Sequence, residues 1–307
     1  MEMLLPELFI GVVSHQASRF SVSQGPEGLA ARLSDCLLAD GVEVAIQVNT
    51  DDRYTPALLA IDGATVRRSY VTQFRLEARW ADYLRAGNHQ LSRGQRLRAR
   101  RLASLLTAAR IFRQRVAFFR PWHASGGEQI PGYRMVRRLV NIELSHLSLI
   151  RAGIETGATW VLIIEDDAHA DDPAALAANL RTLMQSAAGS EQPSFVNLSQ
   201  SFTNAELGVG YLLSPVEAFT WQGEPTRRVL AASRPITNTV CAILYRSDFL
   251  REFLLTFDAL PMDPVVPIDW KLNLALMQMF ESGAIGAGDC WSITPGPIDQ
   301  LSMRVTA

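Results

Sequence analysis

The chain has 307 residues, 48% of them hydrophobic and 20% charged, enough for one large α/β domain or two small ones with a sizeable core. That balance excludes wholesale disorder and fibrous repeats, and a formal charge of 29 − 31 = −2 excludes a chain built as a whole to bind nucleic acid. Three widely spaced cysteines, Cys36, Cys241 and Cys290, argue against a disulfide scaffold or a zinc ribbon and suit a reducing compartment. The first residues lack a basic stretch followed by a long apolar one, and no run reaches about 18 apolar residues. The expectation is therefore a cytoplasmic protein, at most peripheral at a membrane.

The first strong element is the apolar run Leu8 to Val13, the pattern of a strand buried on both faces of a parallel sheet. A helix is expected from about Gly28 to Leu38, stopped by Gly41, and a second strand over Val42 to Val48, ending at Asn49. Strand, helix and strand in about forty residues make a βαβ unit, so the fold class is α/β with right-handed crossovers. Downstream, Arg134 to Ala152 reads as a helix and Trp160 to Ile164 as a strand; further strands are expected over Ser194 to Leu198 and Val240 to Tyr245. Ser199 to Pro235 reads as one long loop carrying Tyr211, Phe219 and Trp221, and loops of that length are more often functional than idle.

From Arg93 to Arg120 there are nine arginines, and no acid lies between Asp82 and Glu128. Leucines, Ile111, Val116 and phenylalanines interleave with them, so the stretch reads as a basic helical segment. It fits a solvated arginine face over an ordinary core contact, or a surface that meets anionic lipid headgroups or a phosphorylated acceptor. Nucleic acid is the weakest reading, because no binding motif accompanies the charge.

The most informative stretch runs from Trp160 to His169, where five apolar residues stop at Glu165, Asp166 and Asp167. In an open α/β sheet the carboxyl end of a strand is where ligands bind. Three adjoining carboxylates repel one another and need a compensating cation. Oxygen ligands suit Mg²⁺ or Mn²⁺, which offset the charge of a departing nucleoside diphosphate. Asp171 and Asp172 fit a plainer role, since Asp172 before Pro173 is a helix N-cap signal. On the preceding helix, Glu143 falls within the apolar stripe and His146 at its edge; a carboxylate there needs a partner or a site.

Leu144-Ser145-His146-Leu147-Ser148, followed about fifteen residues later by Val161 to Ala168 with its Glu165-Asp166-Asp167, resembles glycosyltransferase family 25, which includes lipopolysaccharide-type sugar transferases and collagen galactosyltransferases. Thr237 to Leu250 is similar to that family's later strand and helix, Pro267-Ile268-Asp269 to its Pro-Val-Asp motif, and Val12-Val13-Ser14 through Arg19 to its first strand and arginine. The resemblance implies a GT-A-like (Rossmann-like) fold, a mostly parallel sheet flanked by helices in a single domain. Residues 1–170 would be the nucleotide-sugar half, with a helical arginine-rich insertion at about 75–125, and residues 171–307 the acceptor half. It also implies a nucleotide-sugar donor, most often a UDP-sugar, a divalent cation (Mn²⁺ or Mg²⁺), a glycan or lipid-linked acceptor and an inverting outcome.

Carried over by position, Glu165 and Asp167 act at the metal, with Val13, Ser14, Arg19, Asn49, His146, Glu165 and Asp166 at the donor. Asp269 becomes the general base that an inverting transfer requires, unless it serves as a helix N-cap before Trp270. Tyr211 and Trp221 are candidates to stack on a sugar, against ordinary loop packing. The chain departs from the family in having Asn141-Ile142-Glu143 before Leu-Ser-His, and in having no histidine after His169 to complete a metal site. Asp289 or water is the expected substitute. Two rival readings remain, a transferase-like scaffold without catalysis and a nucleotidyltransferase; the latter lacks a lysine near Gly25 to Gly28.

Overall fold

Leu8–Val13 forms strand β1 and is buried throughout, as a strand covered on both faces must be. The computed structural model describes residues 7–15, 18–20, 25–50, 63–88, 133–185, 193–200, 208–223, 225–237, 239–260 and 266–304, with scattered helical positions between 92 and 116. Helix α1 (Leu29–Ala39) leads to β2 (Val44–Asn49), which pairs parallel to β1. Gly41, at φ 80°, reverses the chain between them, in a region where a side chain would strain the backbone. Helix α2 (Gly63–Ala86) and helix α3 (Tyr133–Glu155) precede β3 (Trp160–Glu165), which pairs parallel to the other side of β1.

The rest of the chain completes an eight-stranded sheet with the order β2-β1-β3-β8-β5-β9-β7-β6. After β4 (Ala168–His169) and α4 (Pro173–Gln185) come β5 (Phe195–Asn197), β6 (Leu213–Pro215), β7 (Arg228–Ala232) and β8 (Ala242–Arg246). Helices α5 (Ser247–Asp258) and α6 (Ile268–Ser282), strands β9 (Cys290–Thr294) and β10 (Asp299–Gln300) and the short α7 (Leu301–Arg304) follow. The sheet is mixed: β8 runs against both β3 and β5, and β7 against β9 and β6, while the other six strands share one direction. The expected α/β class holds, with more antiparallel pairing than the βαβ start suggests. The expected Ser199–Pro235 loop contains β6 and β7, short strands at the sheet's edge, where Pro215 costs no ladder hydrogen bond.

Each face of the sheet has its own core. Leu29, Leu33 and Leu37 of α1 and Leu176, Leu180 and Leu183 of α4 cover one face, against Leu8, Ile10 and Val12 of β1. On the other, α3, α5 and α6 cover Phe9, Val161, Ile163 and Tyr245. Phe249, Phe253 and Phe257 recur every four residues on α5, so their rings line one side, with successive centroids 5.8 and 5.5 Å apart. Gly11 permits the close approach of α3, since a Cβ there would lie 3.0 Å from Leu149 Cβ.

Helix α2 begins at Gly63, earlier than the expected insertion, and its end docks on the second half of the chain. Tyr83 is buried there, its hydroxyl donating to the Pro235 carbonyl at 3.2 Å, with the Arg234 guanidinium 4.9 Å from the ring centroid. In the arginine-rich segment the described apolar side chains Leu97, Leu102, Leu105, Leu106, Phe112 and Val116 are exposed, so the expected core contact does not cover them.

After β9 the chain folds back past the end of β5. Ile298 bridges Ser199, and β10 then pairs antiparallel with β4, directly after the acidic triplet. Gly296 makes this return possible, because a Cβ there would lie 2.2 Å from the Ser199 carbonyl carbon, which is backbone and cannot swing aside. Gly296→Ala is expected to cost about 1–3 kcal/mol in urea unfolding, the range of overpacked sites, and to displace β10.

Candidate active site at the carboxyl ends of β1 and β3

Register brings the predicted residues together. Asn49, Val13 and Glu165 are neighbours across the ends of β2, β1 and β3. Ser14 N–H donates to the Asn49 carbonyl at 2.9 Å, Asp166 N–H to the Val13 carbonyl at 3.0 Å and Glu165 N–H to the Cys241 carbonyl at 2.8 Å. The Ser14 hydroxyl donates to Asp166 Oδ2 at 2.6 Å, a charge-assisted bond that joins the two strand ends through their side chains. From β1 the chain passes over one face, through α1, to β2; β3 lies on β1's other side, with α3 on the opposite face. Strand order reverses at this point, which is where open α/β sheets bind ligands at their carboxyl ends, and Ser14 and Asp166 lie at those ends.

Glu165 points between α3 and the C-terminal return. Its Oε2 accepts from Gln300 Nε2 at 3.0 Å, and its Oε1 lies 3.5 Å from His146 Nε2 on α3. Asp167 is 7% exposed; its Oδ2 accepts from the Ser302 hydroxyl and its carbonyl from Leu301 N–H at 2.9 Å. Burial pushes the Asp167 carboxyl up from its usual range, against the Ser302 hydrogen bond, and the charges of Glu165 and Asp166 push it further.

Asp269 is not the N-cap of α6: Pro267 holds that place, and Asp269 lies in the first turn. Burial raises its carboxyl above the ordinary range, aided by the Glu165 charge, while the Trp270 N–H, its own N–H and His146 oppose the rise. Asp269, Glu165 and His146 thus share one electrostatic environment, although α3, β3 and α6 are far apart in sequence.

Two polar atoms here are buried without a hydrogen-bond partner, Asp167 Oδ1 and His146 Nε2. Sealed donors and acceptors of this kind usually find partners, so the two atoms fit a site that takes a ligand. Carboxylate oxygens of Glu165 and Asp167 lie within 4.8 Å of each other and of Cys241 Sγ, a set that fits a divalent cation.

The partner that Glu143 requires is Lys271, the chain's only lysine, whose ammonium donates to Glu143 Oε2. The two side chains are 5% and 14% exposed. Burial raises the Glu143 carboxyl and Lys271 draws it back down.

Other predicted residues lie elsewhere. Arg19 stacks 4.9 Å from the Phe20 ring centroid and lines a cleft with Gly28, Arg32 and His169, on the α1 side of β4. Trp221 is 4% exposed and packs in the core against Phe219, so its indole is not presented to an acceptor. Tyr211 precedes edge strand β6, at the end of the sheet opposite the carboxylates, where its hydroxyl donates to the Leu84 carbonyl at 3.0 Å. Asp289, the expected substitute ligand, also sits at that opposite end, before β9, with its Oδ2 accepting from Gly286 N–H. Asp172 caps α4 by accepting from Ala175 N–H at 2.9 Å, and Asp171 meets His169 at 3.2 Å, as the plainer reading of these two acids anticipates.

Sequence reasoning misses Gln300 and Ser302, and it misses Cys241 as a member of the acidic cluster. Neutral donors carry no motif, and only the fold-back after β9 brings Gln300 and Ser302 to the acids. No family model matches this chain, and no curated protein does. Among the described residues, no helix is long and apolar enough to cross a membrane.

Proposed function

We propose that the protein is a GT-A-like glycosyltransferase, resembling family 25, that moves a sugar from a nucleotide-sugar donor, a UDP-sugar in the first instance, to a hydroxyl acceptor with inversion. One observation carries this reading: the carboxylates of Glu165, Asp166 and Asp167 stand at the switch point of the sheet, with the raised carboxyl of Asp269 sharing the environment of Glu165. Glu165 and Asp167 would hold a Mn²⁺ or Mg²⁺ ion, which when bound offsets the charge of the departing nucleoside diphosphate. Gln300 and Ser302 fix the outer oxygens of those two carboxylates, so their remaining oxygens are set before a ligand arrives. Ser14 orients Asp166 toward the donor side. Asp269, ionised, takes the proton of the acceptor hydroxyl as that oxygen attacks from the face opposite the leaving group.

Thermal shift with UDP, GDP and CDP, with and without Mn²⁺, tests the donor class. A nucleotide at about 100 times its Kd should stabilise the protein by about 2.7 kcal/mol. The shift should require Mn²⁺ and vanish in Asp167→Asn; no shift with any nucleotide would leave the non-catalytic scaffold as the better account.

The exposed leucines and Phe112 among the arginines favour a companion reading, that the acceptor is presented at an anionic lipid surface. Co-sedimentation with phosphatidylglycerol vesicles but not with phosphatidylcholine vesicles, weakening with salt, is the expected result.

A further inference from the structure

We infer that Cys241 supplies a sulfur ligand to the cation held by Glu165 and Asp167, which makes this a site for thiophilic divalent ions of the Zn²⁺ and Cd²⁺ class as well as for Mn²⁺. The inference rests on the proposed metal-assisted reading and names a third protein ligand for that site.

The cysteine is placed by backbone pairing rather than by chance proximity. Ile164 of β3 faces Ala242 of β8, so the next residues outward, Glu165 and Cys241, meet at the end of the antiparallel ladder, joined by the Glu165 N–H to Cys241 carbonyl bond at 2.8 Å. The Sγ and a carboxylate oxygen from each of Glu165 and Asp167 lie within 4.8 Å of one another. Gln300 and Ser302 each hold one oxygen of these carboxylates, and the other oxygen of Asp167, Oδ1, is buried without a hydrogen-bond partner.

A fully buried cysteine is often only a small apolar residue. Cys241 differs in that its Sγ lies within 4.8 Å of a carboxylate oxygen of both Glu165 and Asp167. On binding a divalent cation the S–H bond would give its proton to solvent as the sulfur–metal bond forms, with those two carboxylates as co-ligands. Two carboxylates alone are a hard set that suits Mg²⁺ or Mn²⁺; one thiolate added to them shifts preference toward borderline and soft ions. Asp289, at the far end of the sheet, cannot take this place, and Cys290 beside it is equally remote.

The test uses the full chain carrying Cys36→Ser, which removes the one partly exposed thiol. Zn K-edge X-ray absorption on protein loaded with one equivalent of Zn²⁺ should show one sulfur at about 2.3 Å beside nitrogen or oxygen at about 2.0–2.2 Å. Cd²⁺ titration should raise a thiolate-to-metal charge-transfer band that saturates at one ion per chain. That band should disappear when Cys241→Ser is added and persist when Cys290→Ser is added. A shell of oxygen and nitrogen alone overturns the inference, as does a band that survives Cys241→Ser; the absorption measurement needs no substitution at Cys241 and stands even if that variant fails to fold. Mn²⁺-dependent nucleotide shifts on the same preparation separate the two levels. Nucleotide binding without sulfur ligation removes Cys241 and leaves the transferase reading intact, whereas the absence of both removes the metal site altogether.

Discussion

Lys271→Met is expected to destabilise the protein by about 3–5 kcal/mol at pH 8, the cost of leaving one member of a buried ion pair uncompensated. Lys271 and Glu143 bridge α6 and α3 inside the layer that also carries Asp269 and His146. Without the ammonium, the Glu143 carboxyl keeps its burial penalty and loses the interaction that opposes it, so its folded-state pKa rises further above the unfolded value of about 4.3. A group raised in the folded state contributes stability that is fully present below the unfolded pKa and lost as pH rises through the folded one. The deficit of Lys271→Met should therefore shrink on acidification from pH 8 to 5, measured by urea unfolding against wild type. Adding Glu143→Gln to Lys271→Met should recover most of the loss, because an apolar or neutral pair in place of a buried ion pair is often neutral or better. A pH-independent deficit would point to lost packing of the lysine stem instead.

Asp269→Asn is expected to lower kcat by about 10²–10⁴-fold, the usual contribution of a positioned general base, while leaving the melting temperature unchanged or slightly higher. The two effects share a cause. Burial and the Glu165 charge raise the Asp269 carboxyl, so ionising it at neutral pH works against the fold, and its stability contribution lies at low pH, below about 3.9, and fades as pH rises through the raised value. The same shift suits catalysis, since a base held above the ordinary carboxylate range is a better proton acceptor. In wild type, kcat/KM should fall on the acid side through a pKa above that range, and this limb should be absent from the residual activity of Asp269→Asn. Retention of both the rate and the acid limb in the variant would remove Asp269 from the base role.

The parts of the site that share one strand end are legible in the amino-acid sequence. An apolar run that stops at three acids marks the exit of a buried strand, and Ser14 and Asn49 end the neighbouring runs. Glu143 is visible as a misfit in an apolar stripe, but its partner lies 128 residues away, and only tertiary packing connects them. Strands β6 and β7 leave little trace because they are only three and five residues long, too short for hydrophobic patterning to set them apart from a loop. Trp221, in a segment that reads as loop, suggests a sugar platform, yet large aromatics in irregular segments are as readily the lid of a core. Asp269 resembles a cap from its place before Trp270, but Pro267 starts the helix two residues earlier and leaves the carboxyl in the first turn.

Gln300 and Ser302, which hold Glu165 and Asp167, leave the ribosome more than 130 residues after those acids. At about 5–20 residues per second, the sheet's first three strands have several seconds in which to associate before the two donors exist. During that interval the carboxylates repel one another without the hydrogen bonds that later fix them, so synthesis order leaves this corner of the molecule the last to set. A nascent chain stalled before residue 299 is expected to bind no nucleotide even if its strands have already docked, and the arrival of two short elements, β10 and α7, would then switch the molecule from folded to competent.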